Sequence, residues 1–170
     1  MVEELLAPPD RFSQDIGMIA LRGMLTAGHF SSSHDFSFGG HAVDFGWCPK
    51  TLADYRDWYG GALAIATRLA LSDSPQRISA RGTIAERFRS LWRHGCVSDE
   101  LEGAVLAIGT QEHWPAGWLA VRKTIGSDRK RMTAELLARL ERMKERLAPS
   151  GLRERLRSKD AAVMRPNLPA

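Results

Sequence analysis

Residues 28–48, GHFSSSHDFSFGGHAVDFGWC, hold three of the five histidines and four of the six phenylalanines in the chain. His29, His34, Asp35 and His41, with Asp44 and Cys48 beside them, are side chains that ligate zinc and other transition metals, and a metal-dependent hydrolase centred on His29–Cys48 follows as one reading. The spacing argues against it. Intervals of five, seven and seven between His29, His34, His41 and Cys48 match no compact metal motif, and the sequence contains neither HExxH nor paired cysteines. Two other readings use the same residues. Phe30, Phe36, Phe38, Phe45 and Trp47 would plug the space over the neighbouring helices while Gly39, Gly40 and Gly46 make turns. Alternatively, the stretch is a recognition loop carried on a helical frame.

Two further pairs have the residue types for acid, base or nucleophilic work. Cys96 lies two positions from His94, but residues this close at a helix end seldom align as nucleophile and base, so Cys96 is expected to be a small half-buried side chain. Glu112 and His113 adjoin in a link and lack a third group in sequence. No phosphate loop of the GxxxxGK[ST] type occurs and no cofactor is indicated.

Charge gives a second functional class. Residues 1–50 carry three basic and six acidic side chains, residues 51–120 seven and eight, and residues 121–170 fourteen and six. The net charge of +4 therefore belongs to the last third of the chain. Arg122, Lys123, Arg129, Lys130 and Arg131 cluster at one turn, and Arg153, Arg155 and Arg157 follow, as phosphate contacts would require. Glu135, Glu141, Glu145 and Glu154 are interspersed, and the pattern fits an ordinary solvated face as well.

The elements that must position these residues read as helices throughout. Residues 10–27 have Phe12, Ile16, Ile19, Ala20 and Met24 at helical spacing before Gly28, and Gly17 and Gly23 imply a close neighbour. After Pro49, Thr51 and Asp54 form a capping-box pattern for a long helix with Leu52, Tyr55, Trp58, Tyr59, Ala62, Leu63, Ala66 and Leu69 on its apolar side. Gly60 and Gly61 mark a close approach or a bend in it. Ser74 with Pro75 is expected to cap the next helix, whose inward side chains are Ile78, Ala85, Phe88, Leu91 and Trp92, and Gly95 ends it. Ser98, Asp99 and Glu100 open a helix burying Leu101, Ala104, Val105 and Ile108. Pro115 starts a short helix through Trp118, Val121 and Ile125, and residues 126–131 read as a basic turn. Thr133 begins the most regular helix, with Leu136, Leu137, Leu140, Met143 and Leu147 as its stripe and Glu135–Arg139 as an ion pair on its back. Leu152 and Leu156 would dock a last short helix.

The expected fold is all-α, antiparallel helical hairpins in a HEAT-like stack or an irregular bundle: residues 1–158 as one helical domain with an irregular connection at 28–50, and 159–170 as a loose C-terminal tail. SPQRISARGTIAERFRSLW resembles the second half of a HEAT-type repeat in its order of proline, arginine, small residues and spaced apolar positions. More broadly, between Phe38 and Leu156, DFGWCPKTLADYRDWY, IAERFRSLW, SDELE, GWLAVRKTI and LLARLERMKERL resemble helical C-terminal regions of large bacterial ATPase-containing proteins, some linked to phage defence. That resemblance implies a scaffold or sensor portion and carries over no catalytic residue. The function expected is a non-enzymatic protein–protein interaction or regulatory domain working with a larger bacterial machine, so a protein partner is expected. The alternatives are a nucleic-acid-binding accessory protein and the metal-dependent hydrolase. No apolar run spans a membrane, the N-terminus MVEELLAPPD is acidic where a secretory signal is basic, and two unpaired-looking cysteines suit a reducing compartment; the expected location is cytoplasmic.

Overall fold

Side-chain caps start three of the seven described helices. In the computed structural model, which describes residues 2–7, 10–28, 49–149 and 151, α1 (Val2–Leu6) precedes α2 (Arg11–Met24). Asp10 caps α2 by accepting from the Phe12 and Ser13 amides at 3.3 and 2.9 Å and from the Ser13 hydroxyl at 2.6 Å. The bonds from Ser13 and Phe12 hold its carboxyl below the usual range. α3 (Leu52–Leu71) begins with the full capping box: Thr51 Oγ1 accepts from the Asp54 amide, and Asp54 accepts from the Thr51 and Lys50 amides at 2.9 Å each. α4 (Arg77–His94) ends at Gly95, whose φ of 81° is the left-handed conformation glycine tolerates. α5 (Ser98–Gln111), α6 (Pro115–Asp128) and α7 (Ala134–Leu147) complete the described helices, with a 3-10 turn at Arg129–Arg131 between the last two.

Cross-helix bonds fix the directions. Arg56 on α3 meets Glu100 on α5 at 2.8 Å, and the Gln111 amide at the end of α5 donates to the Leu71 carbonyl at the end of α3, so the two run parallel. Arg139 of α7 reaches Glu102 and Asp99 of α5, and Leu147 packs on Gly109, which makes α7 parallel to α5. Gln14–Gln76 at 2.5 Å and Arg22–Glu86 at 2.7 Å align α2 with α4 in the same way. Three antiparallel hairpins, α2/α3, α4/α5 and α6/α7, therefore stand side by side in two layers: α2, α4 and α6 in one, α3, α5 and α7 in the other.

The core lies between the layers. Tyr59, Leu63 and Ala66 of α3, Ile84, Phe88 and Leu91 of α4, Leu101, Val105 and Ile108 of α5, Val121 of α6 and Leu140, Met143 and Leu147 of α7 are buried in one cluster. Small residues let the helices close in. A side chain at Gly109 would collide with Leu147, and one at Gly117 with Trp114. At Gly17 an added Cβ would meet Leu6 of α1 at 2.9 Å, so the close neighbour expected there is present. α3 runs without interruption through Gly60 and Gly61, and neither has a neighbour within 4 Å of where a Cβ would sit.

Several expectations are corrected. Residues 2–6 form α1, a helix the sequence reading left out, although Val2, Leu5 and Leu6 had the apolar side to pack on α2. Ser74 does not cap α4. The chain turns once more, with the Arg77 amide donating to the Ser74 carbonyl, and helical geometry starts at Arg77 with no side-chain cap. Ile78 is 83% exposed. α6 continues through residues 126–128 because Asp128 is drawn inward by Arg89. Arg139 bonds across helices to Glu102 and Asp99, in place of the expected pair with Glu135. The largest correction concerns α2. Phe12 and Ile19 are each 71% exposed and Ile16 39%, while Gly17, Met18 and Leu21 are the buried side.

Candidate functional site

Asp128 is the centre around which the candidate basic residues are arranged. It sits in the last turn of α6, 2% exposed, and both of its oxygens accept from Arg89 of α4, at 2.7 Å from Nε and 2.9 Å from Nη2. This pair lowers the Asp128 carboxyl below the usual range against the opposing effect of burial, and the charges of Arg89, Arg93 and Arg131 act in the same direction. One acid is thus committed inside while the cations around it face out.

Arg122, Lys123, Arg129, Lys130 and Arg131 are all exposed, and none forms an ion pair among the described residues. Arg122 lies over the Trp118 ring at 5.2 Å. Lys123 lines a groove of about 520 Å³ between α4 and α6, together with Ala85, Ala116, Ala120 and the charged Glu86 and Arg89. The structure brings these five predicted residues onto one helix and the turn that follows it. Arg153, Arg155 and Arg157 lie outside the described residues, as do His29, His34, Asp35 and His41. Among the described residues no group of three or more metal-ligating side chains occurs.

The cations elsewhere are used differently. Arg81, 5% exposed, donates from Nε to the Ala70 carbonyl at 2.8 Å and from its guanidinium to Gln111 at 3.0 Å and to Glu112. It serves the unpaired carbonyls at the end of α3 and ties that end to the end of α5. Arg77 also pairs with Glu112 at 3.0 Å, so this carboxylate is a structural counter-ion, while His113 is exposed. Arg139 bridges α7 to α5 at 2.6 Å on both bonds and lies 5.4 Å from the Trp92 ring centre.

His94 and Cys96 do come together. Nδ1 of His94 is 3.1 Å from the Cys96 sulfur, and the imidazole is held between the rings of Tyr55 and Tyr59, each centred 5.1 Å away. Contact alone does not activate the thiol. Burial pushes the Cys96 thiol up, and the nearby Glu100 carboxylate adds to the shift while Arg56 opposes it. The adjoining groove of about 380 Å³ is crossed by the Arg56–Glu100 and Arg139–Asp99 pairs, which neutralise its walls. Cys96 is accordingly the half-buried side chain expected.

The feature the sequence reading missed is the outer face of α2. Phe12, Ile16 and Ile19 recur at i, i+4 and i+7 and so share one side of the helix, with Asp15 along its flank. On the opposite side Leu21, Leu25 and Met18 enter the core. The available signal was that α2 has apolar residues on both sides, one more stripe than a helix at the edge of a stack can bury.

No protein-family model matches the chain, and comparison with curated proteins and with solved structures gave no match.

Proposed function

We propose that this chain is a non-enzymatic helical scaffold domain that presents the outer face of α2 to an amphipathic helix of a partner protein. The observation that carries the reading is the bare stripe of Phe12, Ile16 and Ile19, exposed to 71, 39 and 71%. Leaving such side chains in water forgoes about 1.5–3 kcal/mol for each that could be fully buried. Contiguous apolar surface of this kind marks interaction sites. Seven residues of helix rise about 10 Å, the length of two turns, which is the pitch at which one helix reads another through i, i+4 and i+7 anchors.

A second copy of the chain is the weaker occupant. The stripe is centred between Asp15 and Ile16, so antiparallel self-pairing would set Asp15 close to its own counterpart on one flank. Arg22, further along that flank, is paired with Glu86 and supplies little relief. Antiparallel hairpins in two layers are the frame that HEAT-like stacks use to hold such a face rigid, and the sequence resemblance to helical regions of bacterial ATPase-containing proteins supports a partner of that machine class.

A photo-crosslinking residue at position 12 or 19, introduced in the native host, tests this. The expected result is one partner captured from both positions, through a peptide whose apolar residues repeat with helical spacing, and its loss in an Ile16→Asp/Ile19→Asp variant. Links solely between copies of this chain, or capture unchanged by that variant, would overturn the reading.

A further inference from the structure

We infer that the outward cations of α6 and its following 3-10 turn form a ridge that binds the phosphate backbone of duplex nucleic acid, on a surface separate from α2. Arg22, Arg56, Arg68, Arg89 and Arg139 each pair with a carboxylate on another helix, and Arg77 and Arg81 with Glu112 just past the end of α5, so the protein neutralises cations where it uses them to hold helices together. Between residues 122 and 131 the rule is reversed. Five exposed cations share one acid, and that acid, Asp128, is already engaged by both of its oxygens. Arg93, exposed at the end of α4 and close enough to act on Asp128, adds a sixth cation from the neighbouring helix.

Part of this clustering has a local cause. Arg93 sits in the last turn of α4 and Arg129 to Arg131 directly follow α6, where helix C-termini favour positive charge. That effect fades within the last turn and leaves Arg122 and Lys123 unexplained, since Arg122 precedes Arg129 by seven residues, or about 10 Å of helix. Their mutual repulsion in this arrangement is relieved by an external polyanion that runs along the ridge.

The chemistry of the ridge selects among polyanions. Four of the six cations are arginines, whose planar forks suit phosphate oxygens. An acidic peptide would need apolar anchors as well, and the exposed apolar side chain adjoining the ridge is Leu119, at 42%. Single strands require aromatic platforms for their bases, and the aromatic ring here, Trp118, already carries Arg122 on its face. A duplex asks for charges along a surface and nothing more, so binding should be independent of sequence.

The test is fluorescence anisotropy of the whole protein with a labelled duplex DNA of mixed sequence over a series of salt concentrations. Engagement of five phosphates gives a slope of log K against log salt of about −4 to −5, and an Arg129→Gln/Lys130→Gln variant should reduce its magnitude by about 2 while the melting temperature stays unchanged. An Arg153→Gln/Arg155→Gln/Arg157→Gln variant separates the ridge from the C-terminal arginines. The inference is overturned if duplex binding is absent at low salt, if it is insensitive to salt, if Arg129→Gln/Lys130→Gln leaves it intact while the C-terminal variant abolishes it, or if polyglutamate competes more strongly than duplex at equal charge.

Discussion

α2 and α7 are both helices of 14 residues with a pronounced apolar stripe, and they end in opposite situations. In α7 the stripe that the spacing picks out, Leu136, Leu137, Leu140, Met143 and Leu147, packs against α5 and α6, with its last three members buried and the two leucines of the first turn half-buried. In α2 the stripe picked out first, Phe12, Ile16 and Ile19, faces solvent, and the side that enters the core is Gly17, Met18, Leu21 and Leu25. The difference lies in what occupies the back of each helix. Behind the stripe of α7 stand Glu135, Arg142, Glu145 and Arg146, charged side chains that stay at the exposed surface, so one orientation is favoured. Behind the stripe of α2 stand more apolar residues and a glycine, and two orientations compete. Gly17 lies on the side that turns inward, where Leu6 of α1 packs so closely that an added Cβ would press on its side chain at 2.9 Å.

The sharpest test of this contrast is a pair of truncations. Met143→Ala in α7 should destabilise the protein by about 2–5 kcal/mol, as loss of a fully buried side chain does, whereas Phe12→Ala in α2 should change stability by no more than about 0.5 kcal/mol. Urea unfolding of the isolated protein measures both. Equal losses would mean that both stripes are buried.

Next in size is the contrast between arginines that hold the fold and arginines that face out. Arg81→Met should cost about 1–3 kcal/mol, because the Ala70 carbonyl and the Gln111 side chain lose their donor while Glu112 keeps Arg77 and some access to water. Lys130→Gln, on the ridge, should cost nothing measurable. Thermal melts of the two variants read the difference.

Glycines repeat the contrast on a smaller scale. Gly109→Ala would press on Leu147 and should destabilise by about 1–3 kcal/mol unless Leu147 shifts its rotamer. Gly60→Ala should stabilise α3 by about 0.5–1 kcal/mol, since the added methyl meets no neighbour and removes a flexible residue from a helix interior.

The existence and type of the helices from 52 onward were legible because each carries one apolar side and a start or stop signal: Thr51 with Asp54, Gly95, Asp99 with Glu100, Pro115 and Thr133. What was not legible depended on partners distant in sequence. Arg139 has Glu135 one turn away and prefers Glu102 and Asp99, because the cross-helix bonds also seat its guanidinium by Trp92. Ser74 and Pro75 looked like a helix start, yet α4 waits until Arg77, where Gln76 bonds Gln14 and Arg77 bonds Glu112. The basic residues at 122–131 could be counted from the sequence. Their outward placement around a sequestered Asp128 could not, since it requires Arg89 from the preceding hairpin.

A pH-dependent effect is predicted at that aspartate. Its carboxyl titrates below the ordinary value of 3.8 in the folded protein, so the Arg89 pair contributes stability above that pH and the contribution is lost as pH falls through the depressed folded value. The stability gap between the natural protein and an Asp128→Asn variant should therefore be widest at neutral pH and narrow in acid. A gap independent of pH would place the effect of the substitution elsewhere.

The outward orientation of α2 is the claim on which the partner surface rests, and alkylation of a single introduced thiol tests it most directly. Ile19→Cys and Leu21→Cys place a thiol on the outer and inner sides of the same helix, and mass spectrometry of their peptide reads them apart from Cys48 and Cys96. The thiol at position 19 should react in the native protein as fast as in the urea-unfolded chain, while the one at position 21 is strongly protected. Protection at position 19 in the isolated protein would contradict the account, because the stripe would then be covered by the chain itself or by a second copy.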